Sequence, residues 1–576
     1  MGEILRLRGP DEQNIYQDDV LSFVFRRLSI VDLKGGSQPI WNEDESIFVS
    51  VNGEIYNHIA LRKQLPGQHR FRTDSDSEIV LHLYEAFGVD VFSMLNGMFS
   101  LVIWDKNKQQ LVMARDRLGI KPLYYSLNDD RLIFGSELKA LLVHPDCPRV
   151  LKWSDLEQVG VQQKSEVSSY IEGVLHFPAG HYATWQPDKP LSFQSYWNIA
   201  DSFNRGEDLS VADIENRYDE LLEDAVQKRL MADVPVGLFL SGGIDSSLIA
   251  ALLAKHNANV HCFTVVEKST YQSGDVENAK KVTESMGLPF YPVLFDLKDM
   301  AQQFQLADLE CMVGLIESPR FDPEWFFKSE LHRTAKTEVP DIKVMLLGQG
   351  ADEFAGGYSK YLGSEWRHWD DYILHDVKPS LKSHEQENKR VPDRFIQGLR
   401  DKDFIDKSIS PYQQKMKALT YQLQYFNLWH EDRSSAYHGI ESRVPFLDHR
   451  LVELLASVPE KHHQTLFWDK KLVRNTLRKH LADYPGDHKK VPFFVTDKRN
   501  SIQKFIIDIT KNIYPTFITE YVNQSKSLFE KEDMDDLYLR LSKYNQQSEM
   551  AAWYLLERMS ITICQEFCQN TKQFLD

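Results

Sequence analysis

The chain opens with short runs of β-branched and aromatic residues separated by turn formers: SIFVSVNGEIYNH, MFSLVIWDKNKQQLVMARD and PLYYSLNDDRLIFGS. Such runs predict strands, with NKQQ and NDDR as the hairpin loops between them. DSEIVLHLYEAFG intervenes with helical spacing. The first half is therefore expected to be an α+β layered domain, an antiparallel sheet with flanking helices. From about residue 210 the rhythm changes. DIENRYDELLEDAVQKRL predicts a helix, VPVGLFL a buried strand and LIAALLAKH a second helix. HCFTV, the amphipathic DVENAKKVTESMG, FYPVLF and VMLL continue as strand, helix, strand and strand. That alternation predicts a doubly wound α/β parallel sheet with ligands at the carboxyl ends of its strands. The polar stretch ADSFNRGEDLS at 200–210 reads as a linker, which divides the chain into 1–200 and 211–576. Past about residue 500 the pattern is helical.

At residues 234–248, VPVGLFLSGGIDSSL, an apolar strand stops at Ser241-Gly242-Gly243 and a helix begins soon after. A helix N-terminus offers free N–H groups and the positive end of its dipole to an anion. Two glycines let a phosphate approach the backbone without a Cβ in the way. No Gly-Lys-Ser/Thr closes the loop, so it is not a Walker A sequence. Asp245 would repel a phosphate unless a divalent cation stood between them, which points to Mg²⁺ and a nucleotide. These residues resemble the pyrophosphate loop of the ATP pyrophosphatases, enzymes that adenylate a substrate and release pyrophosphate.

Composition narrows the setting. At 576 residues, 42% hydrophobic and 12% aromatic, the chain has the apolar content for two or three packed domains. No membrane span and no signal peptide is expected, and a net charge of −17 argues against nucleic acid as the main partner. Five cysteines, sparse and odd in number, suit the cytoplasm. Cys564-x₃-Cys568 lies in an apolar helical pattern and reads as packing; no second Cys or His pair accompanies it to make a zinc site.

Read as strings, the first half carries Arg8-Gly9-Pro10-Asp11, Arg27-Leu28-Ser29-Ile30-Val31-Asp32, Gln38-Pro39 and Val51-Asn52-Gly53-Glu54-Ile55-Tyr56-Asn57. Ser75-Asp76 before Glu78, Gly97-Met98-Phe99, Ala114 to Gly119 and Ser136-Glu137-Leu138-Lys139 follow in order. The series resembles the glutaminase domain of class II glutamine amidotransferases in its asparagine-synthetase form, with an Ntn-type αββα fold. The resemblance implies a glutamine site formed by Arg27 to Val31, Asn52, Gly53, Glu54 and Asp76. Arg27 would hold the substrate α-carboxylate as a planar fork, and Glu54 and Asp76 its α-ammonium. Asn52 and Gly53 would donate to the tetrahedral oxyanion. The family's nucleophile is an N-terminal cysteine that precedes the Arg-Gly-Pro-Asp string. Here no cysteine precedes Cys147, and Leu7 stands where the family has histidine. Without a thiolate the carboxamide is not attacked, so the expectation is a longer form that carries the cysteine, or a protein that uses free ammonia.

The same resemblance implies that Phe239, Leu240, Ser241, Gly242, Gly243, Asp245, Ser246, Val265, Leu347 and Gly348 bind ATP. It makes Asp352, in GQGADE, the second Mg²⁺ ligand beside Asp245, and Lys470 the pyrophosphate-binding lysine, with Lys471 as the neighbouring register. Gln349 stands where many members carry glutamate; it can hydrogen-bond but cannot act as a base. DRSSAYHGIESRVPFLD at 432–448 would pack near the acceptor site, 486–494 keeps a loose Lys-x-x-Phe segment, and ESPRFDP at 317–323 would read the acceptor carboxylate. The implied activity is that of an amide ligase: aspartate, ATP and glutamine or ammonia give asparagine, AMP and pyrophosphate through β-aspartyl-AMP. Oligomeric state is left open, a homodimer included. Two other readings stay open: a related amide-forming synthetase, of the β-lactam synthetase or lasso-cyclase type with an internal amine or with another carboxylate acceptor, and a non-catalytic nucleotide-binding protein.

Overall fold

The computed structural model describes residues 1–152, 169–382, 409–484 and 499–571, except 68, 129, 130, 204, 207, 257, 258, 268, 269, 271–273, 320 and 361–364. The segment 486–494, Arg320, the two central residues of NDDR and linker positions 204 and 207 lie outside the described residues.

Eleven strands form the first half among the described residues: β1 Glu12–Gln17, β2 Ser22–Arg27, β3 Ile40–Trp41, β4 Ile47–Ile55, β5 Gly97–Asp105, β6 Gln110–Arg115, β7 Tyr124–Asn128, β8 Arg131–Gly135, β9 Val174–His176, β10 His181–Trp185 and β11 Ser192–Ser195. Six of them make an antiparallel sheet in the order β11-β10-β6-β5-β4-β3; β8-β7-β9 and β1-β2 form smaller sheets. Successive side chains point to opposite faces of a strand, and here both faces are buried. Val49, Val51, Leu101, Ile103 and Val112 meet helix α1, Glu78–Phe87, through Ile79, Val80 and Leu83. Phe48, Val102, Trp104, Leu111 and Met113 meet Phe23, Tyr125 and Phe134 of the smaller sheets. Tyr124 and Ile133 face away from that layer, into a core shared with Leu138, Leu141 and helices of the second half. The result is helix, sheet, sheet and helix. Strands β1 and β2, EQNIYQ and SFVFRR, had no place in the sequence-based expectation. In β1 the exposed positions include Ile15 while Glu12 and Asn14 are half-buried, and β2 ends in Arg26 and Arg27, so the apolar alternation is weak.

The second half runs α2 Val211–Lys228, β12 Val236–Phe239, α3 Ile244–Lys255, β13 Val260–Val266, α4 Asp275–Met286, β14 Phe290–Leu294, α5 Pro323–Glu338, β15 Val344–Leu346, α6 Leu428–Tyr437, β16 Glu441–Arg443, α7 Lys471–His480, α8 Arg499–Phe517 and α9 Gln546–Gln569. Ser210 starts α2 with a reciprocal capping box to Asp213, and Asp322 caps α5 with Pro323 in its first turn. The five strands are parallel in the order β14-β13-β12-β15-β16. Leu238, Cys262 and Leu346 pack against one layer of helices, and Phe263, Val265 and Met345 against the other. Strand order reverses between β12 and β15, and that crevice is where doubly wound sheets take their ligands. Helix α3 begins at Ile244, earlier than the apolar run LIAALLAKH suggested, and Asp245, Ser246 and Ser247 occupy its first turn. A carboxylate there meets the positive helix end, which offsets its low helix propensity. Cys564 and Cys568 are buried in the core along α9. Among the described residues no helix is long and apolar enough to cross a membrane.

Candidate functional site

The reversal point of the parallel sheet gathers the residues expected to hold the nucleotide. Gly242 has φ +81°, and a Cβ on it would collide with the carbonyl oxygen of Asp275 at the start of α4. Only glycine lets the loop turn this tightly against a neighbouring helix. Ser246 Oγ accepts from Ser241 N–H at 3.1 Å and lies 3.0 Å from Ser241 Oγ, so the loop is tied to the first turn of α3. Tyr484 O–H donates to Gly242 O at 2.8 Å, and Thr264 O–H to Leu240 O at 2.7 Å. Phe239 and Val265 stand at the carboxyl ends of β12 and β13, and Leu347-Gly348 follow β15 directly.

Lys470 joins the two loops. Its Nζ lies 2.7 and 2.6 Å from the carboxylate oxygens of Asp245 and 2.6 Å from Asp352 Oδ1. The side chain is 4% exposed. Burial pulls the ammonium toward deprotonation, but the two carboxylates outweigh it and hold the pKa above its ordinary value. Asp469 and Lys470 both have left-handed backbone, with φ +55° and +53°. Such non-glycine pairs are uncommon and cost energy, and they cluster at functional sites. The kink ends a 3₁₀ turn and drops Lys470 into the crevice, where a solvent-facing helical position was the ordinary reading for a lone lysine. Gln349, half-buried, lies on the loop between Gly348 and Asp352. Asp245, Asp352 and Lys470 thus come together from three segments, with an ammonium where the sequence called for a bridging cation.

The residues expected to bind glutamine come together in a second place. Arg27, Leu28, Ile30, Val31, Asn52, Gly53, Glu54 and Asp76 line one cavity of about 510 Å³. Ser29 is turned elsewhere: its N–H donates to Asp11 Oδ2 at 2.6 Å. Gly53 has φ +130°, and a Cβ would collide with Met98 O on the neighbouring strand. Asn52 Nδ2 is 3.3 Å from both Ser100 Oγ and Ser136 Oγ. Arg27 Nη2 donates to Val31 O at 3.1 Å and Asp32 O at 2.7 Å, which fixes its guanidinium at the cavity wall. Asp76 Oδ2 accepts from Ile55 N–H at 2.6 Å. Glu54 Oε1 forms an ion pair with Arg443 Nη2 at 2.8 Å, while its other oxygen, Oε2, is buried without a hydrogen-bond partner. Burial pushes the Glu54 carboxyl well above the usual carboxylate range; Arg443 opposes this, and Asp76 and Glu441 reinforce it. A buried carboxylate with an unused oxygen is arranged to receive a cation.

Arg443, Glu441 and Asp432 belong to the second half, and the cavity wall includes Asp432, Ala436, Ile440 and Glu441. The 432–448 stretch is therefore the seam between the halves. Lys121 reaches Glu441 at 3.0 Å, Arg443 Nε reaches Glu441 Oε1 at 3.0 Å, and Arg8 pairs with both Asp432 and Glu137. Glu317 belongs to the same seam. Its carboxylate accepts from the N–H groups of Leu138 and Lys139 at 2.9 and 2.8 Å and from Arg433 at 3.0 Å. Within the stretch expected to read the acceptor, Glu317 is thus committed to holding the halves together, and Asp322 is the cap of α5. Sequence reasoning missed Lys121, Arg433 and Arg443. The available signal was ESR, a charged string inside an otherwise apolar run.

Residues 1–197 match the family model described as a glutamine amidotransferase domain, and residues 217–566 the model described as asparagine synthase. The chain is 37% identical over 546 residues to asparagine synthetase [glutamine-hydrolyzing] 2 of Bacillus subtilis (strain 168), a match covering 91% of this chain and 72% of that one. Asparagine synthetase [glutamine-hydrolyzing] 3 of the same organism is 31% identical over 541 residues, covering 86% and 83%. Asparagine synthetase [glutamine-hydrolyzing] 1 of Arabidopsis thaliana is 31% identical over 471 residues, covering 79% and 66%.

Proposed function

The chain belongs to the asparagine synthase family, and from that premise we propose a residue-level account of an ATP-dependent ligase that converts aspartate to asparagine. The β-carboxylate of aspartate attacks the α-phosphorus of ATP, giving β-aspartyl-AMP and pyrophosphate; ammonia then adds to the acyl carbon and AMP leaves. The observation that carries the account is the meeting of Asp245, Asp352 and Lys470 beside the Ser241-Gly242-Gly243 loop. The loop and the start of α3 bind the phosphates with backbone N–H groups. Lys470 neutralises charge as it builds on the departing pyrophosphate. Two carboxylates sharing one cation are a hard-oxygen donor set, which fits Mg²⁺. Bound by Asp245 and Asp352, Mg²⁺ would supply charge neutralisation to the triphosphate. Gln349 hydrogen-bonds but moves no proton. The three relatives named above give no support to a β-lactam synthetase, a lasso cyclase or a non-catalytic binder. Free thiols throughout suit the cytoplasm.

The test is pyrophosphate release from Mg·ATP and aspartate, with ammonium chloride as donor in one arm and glutamine in another. Asparagine formed in step with pyrophosphate in the ammonium arm is the expected result. No pyrophosphate in either arm would sink the account.

In the N-terminal cavity, Arg27 takes the α-carboxylate of glutamine, Glu54 and Asp76 its α-ammonium, and Asn52 with the Gly53 N–H the oxyanion. Burial raises the Glu54 pKa, so its carboxyl takes up a proton at higher pH than an ordinary carboxylate does. The substrate ammonium needs the anion, so binding expels that proton. Glutamine affinity therefore rises with pH, by up to about tenfold per unit below the Glu54 pKa. Calorimetry in buffers of different ionisation enthalpy reads the proton release directly. Glu54→Gln abolishes the release and weakens glutamine binding by roughly 10- to 100-fold, the worth of a hydrogen bond to a charged group. A pH-independent affinity with no buffer-dependent heat would refute the assignment.

A further inference from the structure

Away from both sites, helix α1 and the loop before it bring together His69, His82 and Glu85. His82 and Glu85 are three apart on α1 and so share a face. His69 arrives from the loop; its ring centroid is 4.9 Å from that of His82. His82 Nδ1 lies 3.1 Å from Glu85 Oε2, and His69 Nδ1 lies 3.7 Å from the same oxygen. One ligand atom from each residue falls within 4.8 Å of the other two. A tetrahedral ion with bonds of about 2.0–2.1 Å sets its ligands roughly 3.3 Å apart. Small side-chain adjustments close the remaining gap.

The outer contacts orient these groups as metal ligands are usually oriented. His69 Nε2 is 3.2 Å from the Pro66 carbonyl, leaving Nδ1 toward Glu85. His82 Nε2 faces Glu78 Oε1 at 3.5 Å, leaving its own Nδ1 toward Glu85. Glu78 is fixed in turn by the N–H groups of Arg72 and Thr73, each at 2.7 Å. Asn42 Nδ2 donates to Glu85 Oε1 at 3.0 Å, which aims Oε2 at the two rings. Two imidazole nitrogens and a carboxylate oxygen therefore converge on one point, and the side chains of His69 and Glu85 keep it 18% and 22% open to solvent.

We propose that His69, His82 and Glu85 bind one Zn²⁺-class divalent ion, with water completing the coordination. Two imidazoles and a carboxylate form a donor set for zinc and its neighbours among the transition metals. The ion closes the loop from His69 to His82. That loop carries Ser75 and Asp76, which line the glutamine cavity, so its second consequence is a stiffer cavity wall.

The full-length protein, stripped with a chelator, is titrated with Zn²⁺ and separately with Co²⁺, whose visible absorption distinguishes a four-coordinate imidazole site from an all-oxygen site. One tight equivalent per chain with the four-coordinate Co²⁺ spectrum is expected. It persists in Asp352→Asn, which weakens the divalent position at the nucleotide loop. His69→Ala, at a partly exposed loop position, lowers the affinity by roughly 100-fold or more, and Glu78→Gln by about 10- to 100-fold through the outer contact. The metal-free melting temperature of His69→Ala stays at the parent value, which separates lost ligation from lost folding. Absence of the tight equivalent, or an equivalent that survives both His69→Ala and Glu85→Gln, overturns the proposal.

Discussion

Lys470→Met lowers ammonia-dependent pyrophosphate release by about 10²–10³-fold, the cost of deleting one preorganised charge partner in a water-excluded site. Its ammonium is the cation shared by Asp245 and Asp352 and is held charged there. Methionine keeps much of the volume and removes the charge, so packing is conserved while charge compensation is lost. A second readout follows from the same geometry. Without the ammonium, the two carboxylates lose the cation they share, which destabilises the metal-free protein. Mg²⁺ relieves that repulsion, so its addition raises the melting temperature of Lys470→Met more than that of the parent. Lys471, the neighbouring register, is exposed at the start of α7. Lys471→Met stays within about twofold of the parent, as surface substitutions usually do. Retention of pyrophosphate release within tenfold in Lys470→Met would remove this residue from the reaction.

What made the nucleotide site legible was local. SGGIDSS and GQGADE each join a strand to a helix start within a few residues, and each brings its own loop chemistry. Their meeting also followed, since parallel strands with helical crossovers place such loops on one sheet edge. Lys470 was harder, because two left-handed residues in succession after Phe467-Trp468 have no glycine to announce them. Strand β16 was invisible for a different reason. It is three residues long, with a charge at either end, and it reads as strand only because β15 pairs with it. The seam was missed on the same grounds: Lys121, Glu317, Arg433 and Arg443 are separated by up to several hundred positions, and nothing local states that their charges neutralise one another. His69 and His82 share that limit, since a loop of unknown path lies between them.

Arg433→Met is expected to cost about 3–5 kcal/mol of stability, the range for breaking a buried ion pair from one side. Arg433 is 1% exposed. Its guanidinium donates to Glu317 at 3.0 Å and to Ser136 O and Asp432 at 3.2 Å, and it lies 3.7 Å from Glu137. These partners belong to both halves, so deletion leaves Glu317 buried with Lys139, 3.7 Å away, as its remaining cation among the described residues. Arg8 and Lys139 still compensate Glu137, and the damage concentrates at Glu317. Glu317→Gln alone also destabilises, by leaving Arg433 short of a carboxylate. The double variant removes both charges together, and a well-packed neutral pair can approach the stability of a buried salt bridge. Its loss is therefore smaller than the sum of the single losses, with a coupling of about 0.5–3 kcal/mol. Chemical denaturation followed by fluorescence and by far-ultraviolet circular dichroism measures the three variants. Strict additivity would mean that Glu317 and Arg433 act independently, and that the seam is held by apolar contact rather than by this pair.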